Sequence, residues 1–151
     1  MRITLVNPPL GRAAFYEEWD LSLVDSVSPP LGLLLLAAVA REAGHEAAVV
    51  DAFANRLTED QTVRDILATR PDIVGFTATT PAIHAAATVA RKLRQQAPGL
   101  PLVIGGAHIT AVPEVTFNLF REFDLGVIGE GEETLKDLLG ELSKAQPDLL
   151  P

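Results

Sequence analysis

The stretch Asp72–His84, reading DIVGFTATTPAIH, constrains this chain more than any other. Ile73, Val74 and Phe76 make a short apolar run interrupted by Gly75, the pattern of a strand buried on both faces. The run passes directly into Thr77-Ala78-Thr79-Thr80-Pro81. Pro81 suits the first turn of a helix, and Thr80 before it suits an N-cap. A central strand therefore ends in a loop of small residues and hydroxyls, and a helix follows at once. In an open parallel sheet, ligands bind beyond the carboxyl ends of the strands. A loop without bulky side chains lets a large ligand approach the backbone there.

The rest of the chain repeats this alternation. Ile3–Val6 reads as the first strand, stopped by Asn7-Pro8-Pro9 because neither proline can donate to a ladder. Residues 10–28 show no periodicity and hold Phe15, Tyr16 and Trp19, as expected of a lid, a binding loop or rings pinned to the surface. Leu31–Ala43 predicts a helix apolar nearly all round, hence deeply packed, with Gly44 as its C-terminal stop. Glu46–Val50 is the second strand, ending at Asp51. Thr58-Glu59-Asp60-Gln61 matches a capping box, and Val63, Ile66 and Leu67 supply the stripe of the next helix. A third helix is expected over Pro81–Gln96. Leu102–Ile104 and Leu125–Ile128 read as the last two strands, with a short helix opening at Pro113 between them. A final helix places Leu135, Leu138, Leu139 and Leu142 on one face.

Five strands alternating with five helices predict an α/β fold: a doubly wound parallel sheet, Rossmann-like, in three α/β/α layers. The expected strand order is the flavodoxin-like 2-1-3-4-5, whose switch point lies between strands 1 and 3. Asn7-Pro8-Pro9 and Thr77–Thr80 flank that crevice, and Gly105-Gly106 and Gly129-Glu130-Gly131 extend the same edge.

A chain of 151 residues suits one domain, read here as residues 1–145 with 146–151 as a linker stub. Cysteine is absent, which excludes disulfides, thiolate nucleophiles and cysteine-ligated iron–sulfur clusters within the chain. A net charge of −8 lacks the basic footprint of a nucleic-acid binder. The longest apolar segment, Leu31–Ala40, is shorter than the roughly 20 residues of a membrane span. The expected setting is cytoplasmic.

Known phosphate cradles are missing: neither GxxxxGK[ST] nor a GxGxxG after the first strand is present. A phosphoacceptor receiver domain would carry an Asp at the end of the third strand, where Thr77 stands. Gly105 and Gly106, lacking Cβ, would let a planar or bulky ligand lie against backbone, or would simply form a tight turn. Replacing Gly106 with Val is thus expected to weaken binding while barely changing the melting temperature. Among the histidines, His45 reads as a surface residue, and His84 and His108 stand nearest the crevice. His84 is the one candidate for an axial metal ligand, and it is not expected to ligate.

These blocks together carry a resemblance. Asn7-Pro8-Pro9, Pro29-Pro30-Leu31-Gly32-Leu33, Ala43-Gly44-His45-Glu46, Val50-Asp51, Thr77–Ile83, Gly105-Gly106-Ala107-His108 and Gly129-Glu130-Gly131-Glu132 are similar, in order, to the N-terminal domain of cobalamin-dependent radical SAM enzymes. TATTPAI resembles in particular the anaerobic magnesium-protoporphyrin monomethyl ester cyclases.

The resemblance implies a cobalamin (vitamin B12) domain. Its cofactor would lie over the carboxyl edge with the nucleotide tail in the crevice. The implied cofactor-binding set is Asn7, Pro8, Pro9, Asp51, Thr77, Ala78, Thr79, Thr80, Gly105, Gly106, His108, Gly129, Glu130 and Gly131. The DxHxxG of histidine-ligated cobalamin domains is replaced by Asn7-Pro8-Pro9-Leu10-Gly11, which implies base-off binding without a histidine ligand. S-adenosylmethionine and a [4Fe–4S] cluster would belong to a linked radical SAM domain that this sequence does not contain, in a methyltransferase or cyclase. The competing expectations are a non-catalytic interaction module and a binder of another nucleotide-like cofactor such as a flavin.

Overall fold

The computed structural model describes residues 1–9 and 28–145. Five parallel strands form one sheet in the order β2-β1-β3-β4-β5. They are β1 (Arg2–Asn7), β2 (Glu46–Asp51), β3 (Ile73–Thr77), β4 (Leu102–Gly105) and β5 (Leu125–Gly126). The helices are α1 (Leu31–Glu42), α2 (Glu59–Ala68), α3 (Ile83–Gln96), α4 (Ala107–Ala111), α5 (Pro113–Leu119) and α6 (Glu132–Ala145). The expected fold and strand order are both present. Residues 10–27 of the aromatic loop and the 146–151 stub lie outside the described residues.

Strand alternation divides the core in two. Val6, Val74, Phe76, Leu102 and Ile104 face α2 and α3 and pack with Ile66, Ile83, Val89 and Leu93. Ile3, Leu5, Ile73 and Val103 face the other way, toward Leu33, Ala37, Leu135 and Leu139 of α1 and α6. In register, Leu5 stands opposite Gly75 on one side of β3 and Val103 stands opposite it on the other. Gly75 therefore leaves a gap in the middle of the face that α1 and α6 cover.

Most of the local signals operate as the sequence suggests. Thr58 caps α2 through the full box: Gln61 N donates to Thr58 Oγ1 at 3.2 Å, and Thr58 N donates to Gln61 Oε1 at 2.8 Å. Gly44 closes α1 at φ +86°, with His45 N donating to Ala40 O and Gly44 N to Arg41 O, a Schellman arrangement.

Four elements differ from the sequence reading. Helix α1 is buried on one face only, at Leu33, Ala37, Val39 and Ala40, and Leu31, Leu34 and Leu35 are 73%, 44% and 50% exposed. Its inner stripe meets the sheet and α6, and nothing among the described residues covers its outer one. Helix α3 begins at Ile83, not Pro81, and Thr80 is not its cap. Thr79 O accepts from Ala82 N and Ile83 N, so backbone alone forms the entry turn. A short helix, α4, follows Gly106 where no periodic apolar pattern announces one. Only Leu125 and Gly126 of the expected fifth strand pair with β4. The chain then turns away, passing Gly129 at φ +77°.

Candidate functional site

Among the described residues, two cavities at the carboxyl ends of the strands share Thr77. The larger, about 320 Å³, lies between the α1/α6 face of the sheet and those helices. Its floor is Leu5, Gly75 and Val103, its sides are Leu33, Leu36, Leu135 and Leu138, and its mouth is Thr77, Gly105, Gly106 and Gly129–Glu132. Gly75 opens it: a Cβ there would stand 3.0 Å from Leu5 Cδ2, and any larger side chain would project into the space. The smaller, about 210 Å³, sits at the switch point and is lined by Asn7, Pro8, Phe53, Thr77, Thr79 and Ala82.

The two glycines at the end of β4 differ in role. A Cβ on Gly105 would meet nothing closer than Phe76 O at 3.8 Å, so this position keeps room at the cavity mouth. Gly106 has φ +93° and ψ −172°, a region open essentially to glycine alone. A Cβ on it would lie 2.7 Å from Thr77 Oγ1 and 2.9 Å from Ala78 N. Ala78 N donates to Gly105 O and Ala78 O accepts from His108 N, each at 3.0 Å, so the β3 and β4 loops are stitched together here. Gly106 packs that seam tightly. The expectation that Gly106→Val would spare folding therefore does not hold.

Asn7 and Asp51 end β1 and β2 side by side. Asn7 Nδ2 donates to Asp51 Oδ1 at 2.9 Å, and Ala54 N donates to the same oxygen at 3.0 Å. Thus Asp51 reaches the site through Asn7. Among the described residues, Glu130 and Glu132 are the charged side chains lining the larger cavity, and none lines the smaller. Glu132 stands in the first turn of α6, where a carboxylate complements the helix dipole.

His108 is buried on the opposite side of the sheet edge. Its Nδ1 lies 3.2 Å from Thr80 Oγ1, its ring stands edge-on to Phe120, and Nε2 has no partner among the described residues. Burial, with a smaller contribution from His84, holds its pKa below the ordinary imidazole value. His84 is exposed and also packs edge-on with Phe120, with centroids 5.2 Å apart.

Thus Thr77, Gly105, Gly106, Gly129, Glu130 and Gly131 gather at the larger cavity, and Asn7, Pro8, Thr77 and Thr79 at the smaller. Pro9, Asp51, Ala78, Thr80, His84 and His108 line neither. Sequence reasoning missed the aliphatic wall from α1 and α6 and the part played by Gly75. A glycine inside an otherwise apolar strand was the available signal, since it often marks a close approach by a ligand.

A family model for the B12 binding domain matches residues 21–139. The chain belongs to that family. The B12-binding domain is 39% identical over 146 residues to an uncharacterized methyltransferase of Pyrococcus horikoshii, covering 97% of this chain and 30% of that protein. It is 32% identical over 142 residues to the anaerobic magnesium-protoporphyrin IX monomethyl ester cyclase of Rubrivivax gelatinosus, covering 92% of this chain and 24% of the cyclase. The chain thus spans less than a third of the length of these relatives.

Among solved structures, the B12-binding domain resembles the cobalamin-dependent S-adenosylmethionine radical enzyme OxsB, bound there to aqua-cobalamin and S-adenosylmethionine. The TM-score is 0.75 at 20% identity, over 95% of this chain and 19% of OxsB. The response regulator protein TrrA of Thermotoga maritima shares the fold at a TM-score of 0.58 and 15% identity, over 95% of this chain and 96% of that one. The receiver likeness is one of architecture: β1 ends here in Asn7 and β3 in Thr77, not in acidic residues.

Cobalamin is the cofactor of this domain, and the residues present fit it. An apolar slot under α1 and α6 suits a flat heterocyclic base, and the side-chain-poor rim from Thr77 to Gly106 leaves room for a macrocycle above. No helix among the described residues is long and apolar enough to cross a membrane.

Proposed function

We propose that this domain binds cobalamin base-off, without a histidine below the cobalt, as the cofactor domain of a radical SAM enzyme. The observation that carries this reading is the slot opened by Gly75. It lies beneath the strand edge, is walled by leucines and shares Thr77 with the switch-point crevice. Base-off binding needs such a place for the displaced nucleotide tail.

Two further observations support the reading. The turn after β1 holds the buried Pro8 and Pro9, and a proline in a chain offers no nitrogen lone pair to a metal. His84 and His108 pack against Phe120, away from both cavity linings. With cobalt held by water or a weak oxygen contact below, the metal would be open to redox change and methyl transfer. A flavin phosphate is less well served, because the charged lining residues, Glu130 and Glu132, are acidic. Cobalamin carries a single phosphodiester charge in its tail, against the nearly doubly charged phosphate of a flavin mononucleotide, and is otherwise largely hydrocarbon and neutral carboxamide, so it makes the smaller electrostatic demand.

In this reading residues 1–145 form the cofactor domain and 146–151 lead toward a radical SAM domain. That partner would supply S-adenosylmethionine and the [4Fe–4S] cluster, since this chain has no cysteine to ligate one. The names of the relatives support methyl transfer or a cyclisation as the parent reaction; in this reading the methyl acceptor would be an unactivated carbon or the cyclisation oxidative, and the setting cytoplasmic.

The test is reconstitution with hydroxocobalamin, desalting, and a visible spectrum of the retained cofactor. The expected result is retained colour with a spectrum shifted to that of the base-off form. A colourless protein, or a spectrum identical to free cofactor, would sink the reading and favour an interaction module. Electron paramagnetic resonance of the Co(II) state should lack nitrogen superhyperfine splitting in the parent and in His84→Ala. Splitting that disappears in the variant would make His84 the lower ligand.

A further inference from the structure

The smaller cavity holds an amide whose orientation the structure decides. Asp51 is a carboxylate, which can only accept hydrogen bonds, so the group of Asn7 that faces it must be Nδ2. Asp51 is itself fixed. Its Oδ1 also accepts from Ala54 N at 3.0 Å, and its main-chain oxygen accepts from Asn55 Nδ2 at 2.8 Å. The strands bring the two residues into register, and Ala52 N donates to Asn7 O at 2.9 Å. The Asn7 amide is thereby clamped.

One N–H of that amide is committed to Asp51. Oδ1 and the second N–H remain, and among the described residues nothing donates to Oδ1. They belong to a residue lining the switch-point cavity, with Thr77 and Thr79 as the other polar lining groups. Among the described residues no charged side chain lines that cavity. A primary carboxamide matches this arrangement: its N–H donates to Oδ1 while its C=O accepts. A carboxylate could use the N–H alone, and would face both Oδ1 and the nearby Asp51 charge.

We propose that Asn7 is a specificity-determining residue that selects a neutral carboxamide on the rim of the ligand, and that Asp51 is its positioning residue. The inference rests on the cobalamin reading, because the corrin periphery carries such amides. It goes further by assigning an acceptor, an orientation and a selection against the corresponding acid.

The experiment uses the 151-residue chain and two kinds of probe. One is hydroxocobalamin. The other is the set of its isomeric monocarboxylates, in each of which one side-chain amide has become an acid. Dissociation constants are read by absorbance titration and folding by circular dichroism. In the native chain at least one isomer should bind tenfold or more weakly than hydroxocobalamin. That preference should fall to less than threefold in Asn7→Ala and shrink in Asp51→Ala, where no side-chain acceptor is left to fix the amide. Equal binding of every isomer by the native chain overturns the proposal without any variant. So does a preference that survives intact in a folded Asn7→Ala. Hydroxocobalamin failing to bind the native chain would overturn the cobalamin reading and this inference together, whereas binding without discrimination overturns this inference alone.

Discussion

Gly106 and Thr77 touch so closely that there is no room for a Cβ between them: the missing atom would lie 2.7 Å from Thr77 Oγ1. The backbone at Gly106 also lies at φ +93°. Both facts predict that Gly106→Ala destabilises the fold. A non-glycine residue forced into such a region costs about 1–3 kcal/mol. At about 2–4 °C per kcal/mol for a chain of this size, the melting temperature should fall by roughly 2–12 °C. Thermal unfolding followed by circular dichroism checks this, and an unchanged midpoint would contradict the contact.

Gly105 should behave in the opposite way. A side chain there meets only ordinary contacts, 3.8 Å and beyond, yet stands at the cavity mouth. Gly105→Val should lower cobalamin affinity by at least about tenfold, or 1.4 kcal/mol, with little change in melting temperature. Isothermal titration beside a melting curve separates the two effects. Loss of stability matching the loss of affinity would show that Gly105 serves only the turn.

Gly75 offers the test of the slot itself. Gly75→Val would place two methyl groups between Leu5 and Val103, on the floor of the cavity. Binding should fall by at least about a hundredfold, near 2.7 kcal/mol, if the nucleotide tail enters there. Cobinamide, which lacks the tail, should bind native and variant chains alike. An equal loss for cobinamide would place the tail elsewhere.

His108 predicts a pH dependence. Its pKa is lowered in the folded chain, first by burial and then by His84. The unfolded chain therefore takes up a proton at about pH 6.5 that the folded chain refuses. Stability is complete above that value and declines as pH falls from it toward the lowered folded value. Asp72 acts in a separate, more acidic window. Burial works to raise its pKa, but its bonds to Arg2 outweigh this, so its contribution is lost only below the ordinary carboxylate value. Urea denaturation across pH 5–7.5 should show a slope that His108→Gln reduces. A slope identical in the two proteins would remove His108 as its source.

The α2 cap gives a control far from the cavities. Thr58→Ala removes an acceptor for Gln61 N and should cost about 1 kcal/mol. Cobalamin affinity should not change. A large loss of affinity in this variant would mean that global stability, and not contact with the ligand, governs binding.

The sequence by itself determined the alternation of elements and therefore the layered sheet. A strand buried on both faces must be apolar throughout, and a helix packed on one side must repeat with the period of its turn. The Gly44 stop, the Thr58 box and the glycines at the strand ends were legible because backbone conformation depends on those residues directly. Residues at the ends of β1, β3 and β4 could be assigned to one edge, since parallel connection leaves every carboxyl end on the same side.

Tertiary structure decided the rest. Helix α1 looks buried all round in sequence, yet only its contacts with the sheet and α6 determine which leucines are covered. Thr80 reads as a helix cap but instead meets His108, a partner 28 residues away that no local pattern reveals. The cavity exists because Gly75 falls opposite Leu5 and Val103 while Leu36 and Leu138 close over it from two other helices. Gly105 and Gly106 are indistinguishable as a dipeptide. They separate in role because one has ordinary clearance at the cavity mouth and the other is pressed against the Thr77 seam, and that difference comes from chain brought together across the sheet.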